Sequence, residues 1–263
     1  MRRFAVAFLG LFVLLLSGCG GIHGDNGTLT FELVDAPASH VSSLQVVIKR
    51  IDVEVGGEWI TLAHPNQSYE LLDLQLEPAL LGQAGLAEGT YSKIRVAITS
   101  ATVTDANGTW DVFVPESVRT DGLEIMVTFD MESSRRTTLL LDFNVLMSLK
   151  INPGGWYSLE PVIPTVVKEE SGTITGFVGL SLLPVDGAEI EAEYVSGPNY
   201  APGAVVNHAR SQASGAFRLW ALLPGEYKLH VTFDALGVVS KTTVNGVVVA
   251  AGLDTPIGDG SLD

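Results

Sequence analysis

Ile51-Asp52-Val53-Glu54-Val55-Gly56-Gly57-Glu58-Trp59-Ile60-Thr61-Leu62 is the stretch that decides the fold class. Ile51, Val53 and Val55 alternate with Asp52 and Glu54, the period of two with which a strand turns successive side chains to opposite faces. Gly56-Gly57 separates this run from a second one. A glycine pair takes positive φ at both central positions of a tight turn without steric cost, so the segment predicts a β-hairpin. The device recurs downstream. Ile94, Val96 and Ile98 alternate, Val103 continues the run, and Asn107-Gly108, a strong hairpin signal, leads into Trp110-Asp111-Val112-Phe113.

Working outward, Leu29, Phe31 and Leu33 alternate with Thr28, Thr30 and Glu32, which predicts another half-buried strand. Strands are also expected at 123–129, 137–149 and 156–159, then at 173–178, 188–194, 216–222, 227–233, 238–244 and 247–250. One short helix is expected at 78–84, where Pro78 stands early and Gly85 follows. Between the two groups of strands lie Pro161, Pro164 and Lys168-Glu169-Glu170. Proline cannot donate to a ladder and the charges resist burial, so 166–171 reads as a linker. The expectation is an all-β protein of two β-sandwich modules in tandem, 28–165 and 172–263.

The amino terminus is of another kind. Met1-Arg2-Arg3 is positive and 4–16 runs apolar apart from Gly10. Those residues reach roughly 20 Å as a helix, short of the ~30 Å hydrocarbon core, so a cleaved export signal fits better than a permanent span. Leu16-Ser17-Gly18-Cys19 follows and resembles the lipobox of bacterial lipoproteins. The resemblance implies a signal peptide at 1–18, lipid on the Cys19 thiol and a Gly-rich tether at 19–27; the bland alternative is a lone cysteine behind a signal. Gly20 rather than aspartate after the cysteine implies, in an enterobacteria-like envelope, the outer membrane over the inner. Cys19 is the only cysteine, so no intramolecular disulfide exists. Two or three acyl chains hold far more firmly than one.

Of the 15 lysines and arginines, Arg2 and Arg3 precede Cys19, which leaves 13 against 30 acidic residues and a formal charge of −17 from Cys19 onward. That sign repels phosphate backbones and argues against nucleic acid as a partner. The remaining expected partners are the membrane, through the lipid, and a glycan or other envelope proteins.

Catalytic patterns are missing from the chain. His23, His40, His64, His208 and His230 include no pair at helical spacing and no His-Glu-x-x-His. There is no Gly-x-Ser-x-Gly elbow, no phosphate-cradling glycine loop and no second thiol. Asp35 ends a strand before Ala36-Pro37 and reads as a turn former. A calcium site shared with Asp73 or Asp142 would need six to eight oxygens, and no Asp-x-Asp-x-Asp-Gly loop supplies them. Asp142 interrupts the apolar run 139–143, either facing out or buried with partners. No cofactor, metal or catalytic residue is therefore expected. Sugar binding would need an exposed aromatic beside polar groups; Trp59 and Trp110, after hairpin turns, and Tyr200, in a loop near Asn199 and Asn207, are the candidate ligand-binding residues.

Two halves resemble known families. Gly27-Thr28-Leu29 through Val34-Asp35-Ala36-Pro37, the strand 46–51, Leu72-Asp73-Leu74, Gly89-Thr90-Tyr91 through Ile94-Arg95-Val96, and Leu139-Leu140-Leu141-Asp142-Phe143 resemble an uncharacterised lipoprotein family, the domain of unknown function 4382. That likeness implies an envelope location and a β-sandwich, and carries no activity. Gly172-Thr-Ile-Thr-Gly-Phe-Val, Ser214-Gly215-Ala-Phe217-Arg-Leu219 and Leu222-Leu223-Pro224-Gly225-Glu-Tyr227-Lys-Leu229 resemble the carboxypeptidase regulatory-like family, a prealbumin-like sandwich without peptidase chemistry, usually described as scaffolding or as having a carbohydrate-binding-like fold. Pro224-Gly225 suits a type II turn, and 197–212 departs from the family as a longer polar insertion. An internal echo links Leu86-Ala87-Glu88-Gly89-Thr90-Tyr91 to Leu222-Leu223-Pro224-Gly225-Glu226-Tyr227. Past the tyrosine the apolar phase slips by one, so related modules and a solution reached twice both remain open. The expected role is a membrane-anchored envelope lipoprotein with a non-catalytic binding, adhesion or scaffolding function. Carbohydrate binding through the second module is the alternative, and an envelope hydrolase the third reading.

Overall fold

A computed structural model describes residues 26–36, 41–180, 183–235, 238–258 and 260–261. The expected signal at 1–18 with the lipobox-like residues Leu16, Ser17, Gly18 and Cys19, most of the expected tether, and His23 and His40 lie outside them.

The alternating runs become strands. The first twelve are β1 (Gly27–Ala36), β2 (Ser43–Val55), β3 (Glu58–Ala63), β4 (Gln67–Glu70), β5 (Ala79–Leu86), β6 (Gly89–Asp105), β7 (Gly108–Phe113), β8 (Leu123–Met131), β9 (Arg136–Asn144), β10 (Leu149–Ile151), β11 (Tyr157–Leu159) and β12 (Thr165–Val167). They form a four-stranded sheet, β12-β9-β1-β5, and an eight-stranded sheet, β10-β11-β7-β6-β2-β3 with β4 on β2 and β8 on β6. One core fills the space between the two sheets, with Phe31, Leu33, Ile48, Ile94, Leu139 and Phe143 among its fully enclosed side chains.

The remaining strands are β13 (Gly172–Leu180), β14 (Leu183–Pro184), β15 (Glu189–Ser196), β16 (Val205–Arg210), β17 (Ala216–Leu222), β18 (Gly225–Ala235), β19 (Val238–Val249), β20 (Asp254–Pro256) and β21 (Gly260–Ser261). They build a five-stranded sheet around β13 and a four-stranded sheet, β16-β15-β18-β19, over a separate core that includes Tyr194, Phe217, Leu219, Tyr227 and Leu229. The protein is all-β and made of β-sandwiches.

Several local expectations need correction. Residues 79–86 are β5 and not a helix: Leu81 and Leu86 turn to the core, and a Cβ on Gly82 would come within 2.8 Å of Ala63. Among the described residues the α-helices lie elsewhere, α1 (Glu116–Thr120) and α2 (Val145–Ser148). The second of these breaks the expected strand 137–149, because Asn144 Oδ1 accepts the Met147 N–H and caps a single turn. Val166 and Val167, read as linker, belong to β12 and pair with Leu140 and Leu139. The expected polar insertion at 197–212 contains β16, and the expected strands 238–244 and 247–250 are one strand, β19.

Turn chemistry also differs between the two hairpins. Gly56 and Gly57 take φ of 61° and 89°, as a two-residue turn demands. In the other hairpin Asp105 pairs with Gly108, so Ala106 and Asn107 stand at the centre. Asp105 Oδ1 accepts the N–H groups of Asn107 and Gly108 and the Trp110 indole N–H, while its Oδ2 accepts the Tyr157 hydroxyl. An aspartate, and not an Asn-Gly pair at positive φ, closes this turn. Those donors, the Tyr157 hydroxyl first, lower the Asp105 pKa to about 2. Gly225 likewise is strand and not the positive-φ corner of a type II turn; it is glycine because a Cβ there would overlap the Tyr194 ring.

The internal echo is realised in three dimensions. Tyr91 donates its hydroxyl to the Ala87 carbonyl and Tyr227 donates to the Leu223 carbonyl, in each case four residues upstream. The pairing register shifts directly after each tyrosine, between Tyr91 and Lys93 and between Tyr227 and Leu229. Both sandwiches thus carry a tyrosine corner followed by a bulge.

Strand β9 is buried on both faces. Leu139, Leu141 and Phe143 enter the first core, while Leu140 joins Val34, Trp220, Ala221 and half-buried Val166 in a cluster that bridges the two sandwiches. Trp220 reaches that seam because β17 carries an extra residue against β13 between Leu219 and Leu222, and Ala221 adopts φ 55° there. Left-handed backbone costs a non-glycine residue roughly 1 kcal/mol. The Trp220 indole N–H then donates to the Gln75 carbonyl, 2.8 Å away.

Leu140→Ala and Leu141→Ala should therefore each lower unfolding free energy by about 2–5 kcal/mol. A strand solvated on one face would show that loss for only one of the neighbours, and urea unfolding distinguishes the cases. For Asp105, a lowered folded pKa contributes stability that is present above the ordinary 3.8 and lost as pH falls through about 2. Acid titration of Trp110 fluorescence should show that loss below pH 4, and Asp105→Asn should abolish it.

Candidate functional site

Strand parity places the most prominent exposed aromatics. Val112 of β7 points into the first core, so Phe113 points out of the eight-stranded sheet and is 59% exposed. On the next strand Ser158 pairs with Phe113 and also with Lys150 of β10. Between β10 and β11 the turn 152–155 closes through the Asn152 N–H to the Trp156 carbonyl, with Gly154 and Gly155 at positive φ. Asn152 Nδ2 also donates to Ser158 Oγ at 2.8 Å. This braced turn delivers Trp156, 51% exposed, against Phe113, with ring centroids 6.1 Å apart and planes perpendicular.

Lys150, on the pairing row that runs through Ser158 to Phe113, lines a cleft of about 440 Å³. Pro115, Val118, Leu123, Met147 and Val162 supply its apolar wall, and Ser117, Lys150 and Glu160 its polar one. Large apolar side chains left in water side by side mark contact surfaces more often than isolated ones do. Edge-to-face geometry leaves part of each ring free for a ligand or partner.

The residues singled out by sequence are dispersed. Trp59 lies on β3, three strands away from β7 in the same sheet, or roughly 14 Å. The Arg95 guanidinium covers its ring at 4.6 Å, and Arg95 in turn bonds Asp52. Asp52 is buried beneath Arg50, Arg95 and Thr61, whose hydrogen bonds outweigh burial and hold its pKa below the ordinary value. Arg50 also donates to the Thr120 and Asp121 carbonyls at the end of α1, so this cluster fastens the helix to the sheet. Trp110 is half-exposed at the hairpin rim with its N–H engaged by Asp105. Tyr200 packs edge-to-face on Tyr194, 5.2 Å between centroids, against the second core. The three rings form no common platform.

Asp35 lies in β1, buried and paired in register with Phe143, while Asp142 faces the other side of that sheet. Among the described residues no group of three or more histidine, cysteine, aspartate or glutamate side chains is arranged to hold a metal. On the outer face of the second module Glu191 sits between His208 and His230 in register. Glu193 bonds His230 at 2.6 Å and Lys228 at 3.3 Å, and these partners, His230 first, lower its pKa. This face is laced with opposite charges that satisfy one another.

Phe113 was legible. In Trp110-Asp111-Val112-Phe113 it shares parity with Asp111, the polar side, and an aromatic on a polar face is the signal. Trp156 was hidden, since only the folded turn at Gly154-Gly155 brings it beside Phe113.

No curated protein matches the chain. Among solved structures, the Bacillus anthracis TIE protein is 12% identical with a TM-score of 0.27, covering 89% of this chain and 33% of its own. This chain therefore spans about a third of that protein's length. GBS52, the minor pilin of Streptococcus agalactiae, is 12% identical with a TM-score of 0.26, covering 90% and 96%. BcpA, the major pilin subunit of Bacillus cereus, is 12% identical with a TM-score of 0.25, covering 91% and 70%. Scores this low carry no argument. The family model described as Domain of unknown function (DUF4382) matches residues 26–161, more than half of the sequence, and the chain belongs to that family.

Proposed function

We propose that this protein is a lipid-anchored envelope lipoprotein with a non-catalytic binding, adhesion or scaffolding role, exercised through the outer face of its eight-stranded sheet. The observation that carries the binding role is the perpendicular Phe113–Trp156 pair, half in water on the outer face of the sheet. Anchoring rests on Leu16-Ser17-Gly18-Cys19 after a 4–16 apolar run, and the outer membrane on Gly20 after the cysteine. The carboxypeptidase regulatory-like reading of 172–263 rests on the three motifs quoted above.

Carbohydrate binding through the second module is less well supported by the geometry, because Tyr200 is packed on Tyr194. A hydrolase finds little support either. The two described histidine rings with ion-pair partners, His208 and His230, face glutamates and not hydroxyl nucleophiles.

Binding is tested by probing a glycan array and detergent-solubilised envelope proteins with the chain from residue 26 onward. Phe113→Ala or Trp156→Ala should weaken capture at least tenfold, the scale of a central aromatic contact, whereas Trp59→Ala should not. Equal capture by all three variants would contradict the assignment. Anchoring is tested by mass spectrometry of the native protein: the expected species begins at acylated Cys19, and an unmodified thiol with residues 1–18 retained refutes it.

A further inference from the structure

Asp142 is the charged residue least accounted for by a binding role. It stands on β9 beside Leu140, on the face turned toward the second sandwich, and is 4% exposed. Asn207 of β16 donates through Nδ2 to Asp142 Oδ2 at 2.8 Å and to the Trp220 carbonyl at 2.7 Å. One amide therefore ties three strands from the two sandwiches, β9, β16 and β17, at a single buried point.

We propose that the seam between the two sandwiches is a pH-responsive joint, closed over a neutral Asp142 carboxyl that Asn207 holds in place and loosened when ionisation leaves a buried, dehydrated charge there. An enclosed carboxylate needs a cation or several donors to offset its lost hydration. Among the described residues the only donor that reaches it is the Asn207 amide. On β9 the nearest charge is Arg136, at the far end of the strand. Strand β1 brings Glu32, already ion-paired with Lys168 at 2.6 Å, and Asp35, on the opposite face of the sheet. Strand β12 carries no charged residue. On β16 His208 is directed to Glu191, and Arg210 bonds the Gly187 carbonyl. On β17 Arg218 stacks on Trp220 and pairs with Asp254. The remaining titratable neighbour is the Tyr200 hydroxyl, itself raised first by burial and further by Tyr194 and Asp142.

Burial, opposed only by the Asn207 hydrogen bond, pushes the Asp142 pKa up to about 7 from the ordinary 3.8. A carboxyl raised on closing contributes stability that is fully present below pH 3.8 and is lost as pH rises through about 7. The joint is thus tightest in mild acid. Above neutrality the buried charge favours an open or hydrated seam, and Trp220 would lose its bond to Gln75 with it.

The test uses the whole chain from Cys19, wild type and Asp142→Asn, with hydrogen exchange at β9, β16 and β17 and at the Trp220 indole between pH 5 and 8, corrected for intrinsic rates. In the wild type, opening should increase by up to about tenfold per pH unit toward pH 7; in the neutral isostere it should stay flat. The same slope in both proteins overturns the proposal. Carbon-13 titration of the wild-type aspartate carboxyls keeps the question decidable should Asp142→Asn fail to fold. A midpoint near 7 supports the joint, and midpoints all below 5 refute it.

Discussion

Covering both faces of β9 is the constraint on which the rest of this structure depends. A strand whose neighbours are sheet on one side and solvent on the other alternates apolar and polar residues. Here Leu139, Leu141 and Phe143 face one core, while Leu140 faces Trp220 and Ala221 of the other sandwich. The run Leu139-Leu140-Leu141 is therefore the imprint of two interfaces on one strand. Everything else at the seam follows from it: the extra residue in β17, the left-handed Ala221, the indole bond to Gln75 and the enclosure of Asp142. A joint this apolar places the two modules together without any covalent reinforcement, which a chain with a single cysteine could not provide.

Two buried or shielded carboxylates illustrate how environment, and not residue type, sets charge. Asp52 meets two guanidinium groups and a hydroxyl, so its ionised form is favoured and the cluster pins α1 to the sheet. Asp142 is buried with one amide to offset the lost hydration, so its neutral form is favoured. Their contributions to stability run in opposite directions with pH. Acid weakens the first and strengthens the second. The outer face of the large sheet, where Phe113 and Trp156 stand, and the inner seam are therefore governed by different parts of the pH scale.

Much of the fold was legible in the residues because period-two alternation is a local consequence of strand geometry. The Gly56-Gly57 hairpin, the strands around Ile94 and Phe217, and the all-β class follow from it. What local pattern could not give was anything decided by a distant partner. Ala79–Leu86 has helix-like punctuation, Pro78 before and Gly85 near its end, yet pairing with β1 decides its state. Asn107-Gly108 carries a strong turn signal, yet the Asp105 side chain collects the donors instead. Strand β16 sits in a polar segment with little alternation, and its Asn207 matters only because β9 arrives opposite. The candidate site divides in the same way: Phe113 follows from parity alone, whereas Trp156 beside it and Arg95 over Trp59 are tertiary facts.

Unfolding cooperativity tests the central claim most directly, since two sandwiches sharing a buried apolar seam should melt as one. Differential scanning calorimetry of the chain from Cys19 is expected to give a single transition whose calorimetric and van't Hoff enthalpies agree, and Trp220→Ala is expected to split it in two. Two separate transitions in the wild-type protein, at midpoints unmoved by Trp220→Ala, would contradict the account.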